Sequence, residues 1–206
     1  MLAFSTVAET IVAVQTAKGI DFRVRTERRG QAEYLVPVIQ ELLADNGITL
    51  NDLGQIGVVT GPGSFTGLRV GLAAAEGFGI AMDTPLVGID SFMWWRWAAR
   101  QAGLTKPAAV ILDTLRDDVF IAVYDGPRTL LDPQVMSLAD ARQLIEENPV
   151  ILVGDAGHLL PEYNFAPLSH QSLAESLLQL TGTLQGTTTA PVYLRAPEIT
   201  APAAAK

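Results

Sequence analysis

Apolar and β-branched residues dominate three short stretches at the front of the chain: Met1-Leu-Ala-Phe-Ser-Thr6, Thr10-Ile-Val-Ala-Val-Gln15 and Phe22-Arg-Val-Arg-Thr26. Turn residues around Lys18-Gly19 break them, which predicts a three-stranded meander. From Gln31 to Asn46 the period changes. Tyr34, Leu35, Val38, Ile39, Leu42 and Leu43 recur at helical spacing and form one apolar stripe, with Gly47 as a natural stop. Pro37 lies inside this pattern and marks a kink or a delayed start. Gln55–Thr60 reads as a short buried strand, and Gly61-Pro-Gly63 breaks it. A long helix is predicted over Thr66–Met82, with Ser64 or Thr66 as its cap. Leu86-Val-Gly-Ile89 reads as a strand. Ser91 caps a helix running through Gln101, which Gly103 ends.

Beyond Lys106-Pro107 the pattern starts again. Ala109-Val-Ile-Leu-Asp113-Thr114 resembles Leu2-Ala-Phe-Ser5-Thr6, and Val119-Phe-Ile-Ala-Val123 follows it as Thr10–Val14 followed the first. Ser5 and Asp113 stand 108 residues apart. The same offset carries the first helix to Ser137–Asn148, where Leu138, Ala141, Leu144 and Ile145 make a second helical stripe. Val150-Ile-Leu-Val153 is then a strand and Ser172–Leu180 a helix. Two alternating units predict a duplicated α/β fold, with one half over residues 1–105 and the other over 106–206. The Ala203-Ala-Ala-Lys206 tail reads as mobile.

With 206 residues, 49% of them hydrophobic and 17% charged, the chain can bury a core, and disorder as its main state is excluded. Fourteen Lys and Arg against 22 Asp and Glu give a net charge of −8. A broad phosphate-binding face is therefore not expected; a bound nucleic acid would take its positive surface from elsewhere. Cysteine is absent, which removes disulfides, thiolate zinc sites and a Cys nucleophile and suits a reducing compartment. Met1–Val14 has no basic lead and is interrupted by Glu9, so no secretory signal is read. Ser176–Leu194 is too rich in Thr, Gln and Gly to span a bilayer. The expectation is a cytoplasmic protein.

Two facing α/β halves leave a cleft at the ends of their strands, where ligands favour binding. A nucleotide-using version wants a carboxylate at each first hairpin to order the metal and water around phosphates. The second half offers Asp113, but the first has Ser5, whose hydroxyl cannot replace that charge. Asp113 is thus a weak cofactor-binding candidate, or else a strand-end carboxylate bonded to turn amides. Gly61-Pro-Gly-Ser-Phe-Thr-Gly67 is the densest signal. It reads as an anion cradle or as a tight strand-to-helix turn, and it lacks both the phosphate-loop and the dinucleotide spacing. Gly67, Gly71, Ala75 and Gly79 lie four apart and make one groove of small residues for a helix, internal or a partner's.

Gly61-Pro-Gly-Ser-Phe-Thr-Gly-Leu-Arg-Val-Gly71 and Pro85-Leu-Val-Gly-Ile-Asp-Ser91 strongly resemble the TsaB (YeaZ) family, and Asp113–Phe120, Val153–Ala156 and Pro191–Glu198 resemble its later blocks. The resemblance implies an actin-like, sugar-kinase-like (ribonuclease H-like) fold in two halves, with mixed sheets flanked by helices. It implies a role in threonylcarbamoylating the adenosine beside the anticodon of tRNAs that read codons starting with A. In such a system this chain has no catalytic residue and no metal of its own. It partners TsaD, which transfers the group, while TsaE joins the pair and tRNA is met through the complex. No cofactor is implied for this chain alone; ATP or ADP belongs to a subunit boundary. Pairing through first-half helices, with TsaD or in a homodimer, selects Leu35, Val38, Ile39, Leu42, Gly67, Gly71, Ala75 and Gly79 as the partner interface. Two departures from the family pattern stand out: Ser5-Thr6-Val7 where an Asp-Thr-Ser type turn is usual, and Gln31-Ala32 where a His-Ser pair often opens the first helix. The Trp94-Trp95-Arg-Trp97 cluster is not a family feature and reads as a buried face with an amphipathic flank.

Two other functions compete. An autonomous ATPase or small-molecule kinase of this fold would need the first-half carboxylate that Ser5 replaces. A metalloprotease would need histidines at helical spacing, but His158 and His170 stand twelve residues apart and read as surface or loop residues.

Overall fold

The computed structural model describes residues 1–195, so the Ala203–Lys206 tail and the end of the Pro191–Glu198 block lie outside the described residues. The front of the chain forms β1 (Leu2–Ser5), β2 (Thr10–Thr16) and β3 (Gly19–Arg25), the expected meander. Helix α1 (Gln31–Asp45) follows, then β4 (Ile56–Gly61), α2 (Phe65–Met82), β5 (Leu86–Asp90) and α3 (Ser91–Gln101). The first sheet has the order β3-β2-β1-β4-β5, antiparallel across its first three strands and parallel across the last three.

The second half repeats this winding. Strands β6 (Ala108–Asp113), β7 (Asp118–Asp125), β8 (Arg128–Ser137) and β9 (Ile151–Val153) form a sheet ordered β8-β7-β6-β9, with α4 (Leu138–Glu147) between the last two in sequence. Ser5 pairs with Ile11, and Asp113 pairs with Val119, six residues on in each case. The register therefore reproduces the duplication read from the sequence. Strand β8 has no counterpart in the sequence reading, because its alternation is blurred by Pro133 and exposed Leu130. Where the first half has β5, the second has only an isolated parallel bridge from Leu152 to Phe165. Where it has the long α2, the second has a short 3-10 turn at Ala156–Leu159.

Helix α5 (His170–Thr183) returns to pack on β1 and β2 of the first sheet and against α3. This pairing accounts for the tryptophans. Trp94 is buried and its indole N–H donates to the Leu173 carbonyl at 3.0 Å; Trp97 donates to the Gln179 Oε1 at 2.9 Å. One hydrophobic core joins both halves, from Leu2, Phe4 and Ile39 to Val110, Phe120 and Val153, and a smaller one lies under α4. The cap of α3 differs from expectation. Asp90 accepts from the Met93 amide at 3.0 Å, while Ser91 turns inward and donates to the Pro62 carbonyl at 2.8 Å. A carboxylate outbids a hydroxyl at a helix N-terminus through the added attraction of the dipole. Among the described residues no helix is long and apolar enough to cross a membrane.

Candidate functional site

Three places in the fold bear on function: the cleft at Asp113, the glycine-rich turn, and the outer face of α2. At the cleft, Arg28 crosses from the β3–α1 loop of the first half, and its Nη1 meets Asp113 Oδ2 at 2.5 Å. Asp113 is 5% exposed, and its Oδ1 accepts from the Leu115 amide at 2.6 Å. His158 Nε2 lies 3.4 Å from the same Oδ2. Asp155 stands behind: its Oδ1 accepts from the Asp113 amide at 2.8 Å and its Oδ2 lies 3.9 Å from Arg28 Nη2. Gly154 permits this approach, with φ at 134° and no room for a Cβ, which would stand 1.9 Å from the Ile111 carbonyl oxygen. Burial pushes the Asp155 carboxyl up to about 6, although the Asp113 amide and then the Arg28 charge pull it down.

The surrounding recess has a volume of about 500 Å³ and is lined by Arg28, Asp113, Leu115, Arg116, His158 and Leu159. Its chemistry is limited by how its oxygens are used. Both Asp113 oxygens already face protein donors, and Arg28 neutralises the charge. The first half contributes Ser5, fully buried, whose Oγ makes no hydrogen bond. A divalent cation would find one committed carboxylate where two free ones are wanted. Among the described residues no three His, Asp or Glu side chains gather as a metal site. His158 and His170 lie apart, the second 2.7 Å from Glu9. Of this cluster the sequence singled out Asp113 alone. Asp155 sat unremarked inside the Val153–Ala156 block, and nothing in Thr26-Glu-Arg-Arg-Gly30 marks Arg28 as the residue that crosses over.

The glycine-rich turn is a packing device. A Cβ on Gly67 would lie 1.9 Å from the Thr6 carbonyl oxygen, one on Gly71 2.3 Å from Thr6 Oγ1, and one on Gly63 2.5 Å from Val7 Cβ. The turn after β1 thus beds directly onto the start of α2. The Ser64 amide donates to the Val7 carbonyl at 2.8 Å, the Gly67 amide to Ser64 Oγ at 3.2 Å, and Thr6 Oγ1 to the Gly67 carbonyl at 2.7 Å. Amides engaged in this way do not cradle an anion.

The interface assignment needs correction for the same reason. Leu35, Val38, Ile39 and Leu42 are 0–3% exposed, inside the core. Gly67, Gly71 and Ala75 are buried, and Gly79 backs onto Leu86 at 3.0 Å from its Cβ position. All eight residues serve this protomer. The sequence stripe was real, but its small side chains admit the Thr6–Val7 turn and β5, not a partner.

What remains open is the opposite side of α2. Phe65, Thr66, Arg69, Ala73, Glu76, Gly77, Ile80 and Ala81 are exposed, Ile80 to 86%, and nothing stands within 4 Å of a Cβ on Gly77. Arg69 lies over the Phe65 ring at 4.0 Å, and Phe65 meets Tyr193 at 5.6 Å between centroids. Helix α1 packs beside it and exposes Ala32, Glu33, Pro37, Gln40, Glu41 and Ala44. The sequence held a signal for this face. Between Phe65 and Met82 only Arg69 and Glu76 are charged, so the helix is apolar nearly all round. Such a helix is normally buried on every side, and this one is covered on one.

A family model described as TsaD, tRNA N6-adenosine threonylcarbamoyltransferase, matches residues 25–152. An uncharacterized protein of Mycobacterium tuberculosis is 36% identical over 135 residues, 65% of this chain and 59% of that protein. The tRNA threonylcarbamoyladenosine biosynthesis protein TsaB of Bacillus subtilis is 31% identical over 134 residues, 62% of this chain and 57% of that one. Its namesake in Escherichia coli is 32% identical over 97 residues, 47% and 42% of the two chains. The matched stretch thus spans about three fifths of the length of the Mycobacterium tuberculosis and Bacillus subtilis relatives. YeaZ from Pseudomonas aeruginosa superimposes with a TM-score of 0.72 over 94% of this chain and 98% of that one, at 21% identity, which shows a shared fold.

Proposed function

We propose, from the premise that this chain belongs to the TsaD family and to its TsaB (YeaZ) branch, that it is a non-catalytic partner of the threonylcarbamoyl transferase TsaD in the cytoplasm. In this reading the pair, joined by TsaE, modifies the adenosine beside the anticodon of tRNAs that read codons starting with A. The observation that carries the reading is the outer face of α2. An apolar helix bared on one side, with Ile80 86% exposed beside Ala73 and Gly77, is a surface that a second subunit covers. The same face serves a homodimer when TsaD is absent. The cleft supports the non-catalytic part. Ser5 stands where a carboxylate would order a cation, and Arg28 holds Asp113. Nucleotide, where the complex uses it, then belongs to a boundary with the partner.

The test is association with the cognate TsaD, followed by size-exclusion chromatography with light scattering. A one-to-one complex is expected, weakened at least tenfold by Ile80→Glu. Absence of a complex under every nucleotide condition would overturn the reading. Phosphate release by the pure chain, abolished by Asp113→Ala, would replace it with an ATPase or small-molecule kinase of the same fold.

A further inference from the structure

Where the chain crosses from the first half to the second, at the end of α3 and the start of β6, lies a recess of about 230 Å³. Arg96, Arg100 and Lys106 line it over a floor that includes Leu104, Ala108 and Tyr124, and no carboxylate is among its lining residues. Three of the fourteen cations in a chain of net charge −8 therefore converge on one small concavity. Like charges gathered this way repel one another unless something anionic sits among them.

Intramolecular roles do not account for the cluster. Cations at a helix C-terminus commonly serve its last carbonyls. Here the backbone already does so: the Ala102 amide donates to Ala98, Gly103 to Arg100 and Leu104 to Ala99, at 3.0, 3.0 and 3.1 Å. Arg100 and Lys106 form no ion pair among the described residues. Arg96 is held in place by its guanidinium 4.7 Å from the Tyr124 ring centroid and by donation of Nη2 to the Gly126 carbonyl at 2.7 Å. Most of its N–H groups are left over, in an orientation already fixed. The acids that act on Tyr124 are engaged elsewhere or reach it only through space: Asp90 caps α3, Asp132 acts at a distance, and Asp125, between Tyr124 and Gly126 in the chain, is exposed and does not line the recess. Burial, and then the Asp90 charge, push the Tyr124 hydroxyl up to about 12, so the floor adds no negative charge at neutral pH.

We propose that the Arg96–Arg100–Lys106 recess is a phosphate-binding site, and that the phosphate it takes is a backbone group of the tRNA handled by the complex. A preset guanidinium flanked by two exposed cations over an apolar floor suits a phosphodiester, which needs positioning and no base readout. The identity of the phosphate carrier rests on the function proposed above; the phosphate chemistry does not.

The experiment has two arms. In the first, the assembled complex with TsaD binds labelled tRNA while salt is varied, for wild type and for Arg100→Glu/Lys106→Glu. The double variant is expected to bind about tenfold more weakly at 100 mM salt, with a log–log salt slope shallower by about two. An intact complex that binds tRNA with unchanged affinity and slope would overturn the tRNA assignment. In the second arm, inorganic phosphate is titrated into the isolated chain and followed by NMR at the Arg96 guanidinium and the Lys106 amide. Saturable shifts that vanish in Arg100→Gln/Lys106→Ala support the phosphate site whatever becomes of the complex. Shifts that never saturate would overturn it. Failure of the complex to form would count against the earlier reading alone, since the phosphate arm stands without it.

Discussion

Two glycines on α2 separate close packing from helix propensity. Gly71 and Gly77 sit in the interior of the same helix, so alanine gains each about the same helix propensity, ~1 kcal/mol. Their surroundings differ. At Gly77 a Cβ meets nothing within 4 Å. At Gly71 it would stand 2.3 Å from Thr6 Oγ1, a buried hydroxyl held by its 2.7 Å bond to the Gly67 carbonyl. Overpacking costs about 1–3 kcal/mol, and the loss of that buried hydrogen bond about 1 kcal/mol more. Gly77→Ala should therefore stabilise by up to ~1 kcal/mol, and Gly71→Ala should destabilise by about 1–3 kcal/mol. For a chain of this size each kcal/mol moves Tm by roughly 2–4 °C. The two variants should then straddle wild type in Tm by calorimetry, Gly77→Ala a few degrees above and Gly71→Ala about 2–12 °C below. Because one core joins both sheets, a single transition is expected. If Gly71→Ala melts at or above wild type, the Thr6 turn does not need the glycine, and the small-residue row would again be free for a partner.

Further outcomes follow from the cleft and the outer face. Ile80→Glu should leave Tm within about 2 °C of wild type while weakening association with TsaD at least tenfold, since an 86% exposed side chain carries little of the monomer's stability. Asp113→Asn, which keeps an acceptor for the Leu115 amide but drops the ion pair with Arg28, should lower stability yet leave tRNA modification by the reconstituted complex within twofold; a collapse of modification in a complex that still forms would mean that this subunit joins the chemistry. Asp155 is protonated more readily in the folded state, with its carboxyl pushed up to about 6, so the native protein binds more protons than the unfolded chain between about pH 4 and 6. Its contribution is complete below that window and is lost as pH rises through 6, by about 2–3 kcal/mol at most; Asp155→Asn should flatten that part of the stability–pH curve, and an unchanged slope would refute the assignment.

Most of the architecture could be read before any coordinates because burial has a period. The continuous apolar runs of β1 and β2, the stripe on α1 and the repeat at Ala109–Val123 all record what the core covers, and they returned the right elements within a few residues. The eight residues given to a partner failed for a related reason. A stripe of apolar or small side chains says that something packs there, and it says the same for a strand of the same chain as for another subunit. Gly67 and Gly71 look alike whether the approaching group is the Thr6 backbone or a foreign helix. The Arg28–Asp113 pair was illegible for a different reason, because its members lie 85 residues apart and meet only through the fold. Strand β8 was hidden because a half-exposed edge strand does not alternate cleanly.

The two halves were laid down on one plan and have diverged at equivalent places, and the direction of divergence bears on function. At the end of the first strand, one half keeps Asp113 and the other has Ser5, with a buried hydroxyl that bonds nothing. A fold that holds phosphates and metal between two carboxylates loses that capacity when either is gone, since a lone carboxylate gives a divalent cation too little charge to displace its water. Arg28 then removes the remaining charge. The divergence between β4 and β5 runs the other way. The first half carries an eighteen-residue helix there, apolar nearly all round, whereas the second has shrunk to a four-residue turn. The exposed side of that helix sets Phe65, Ala73, Gly77 and Ile80 beside its two charges, Arg69 and Glu76, and apolar surface rimmed by polar groups in this way marks an interaction site. The cleft thus offers one carboxylate, already paired with Arg28, while the first half presents an exposed helix face. Both features support the role proposed above, in which this chain acts through a partner that covers α2.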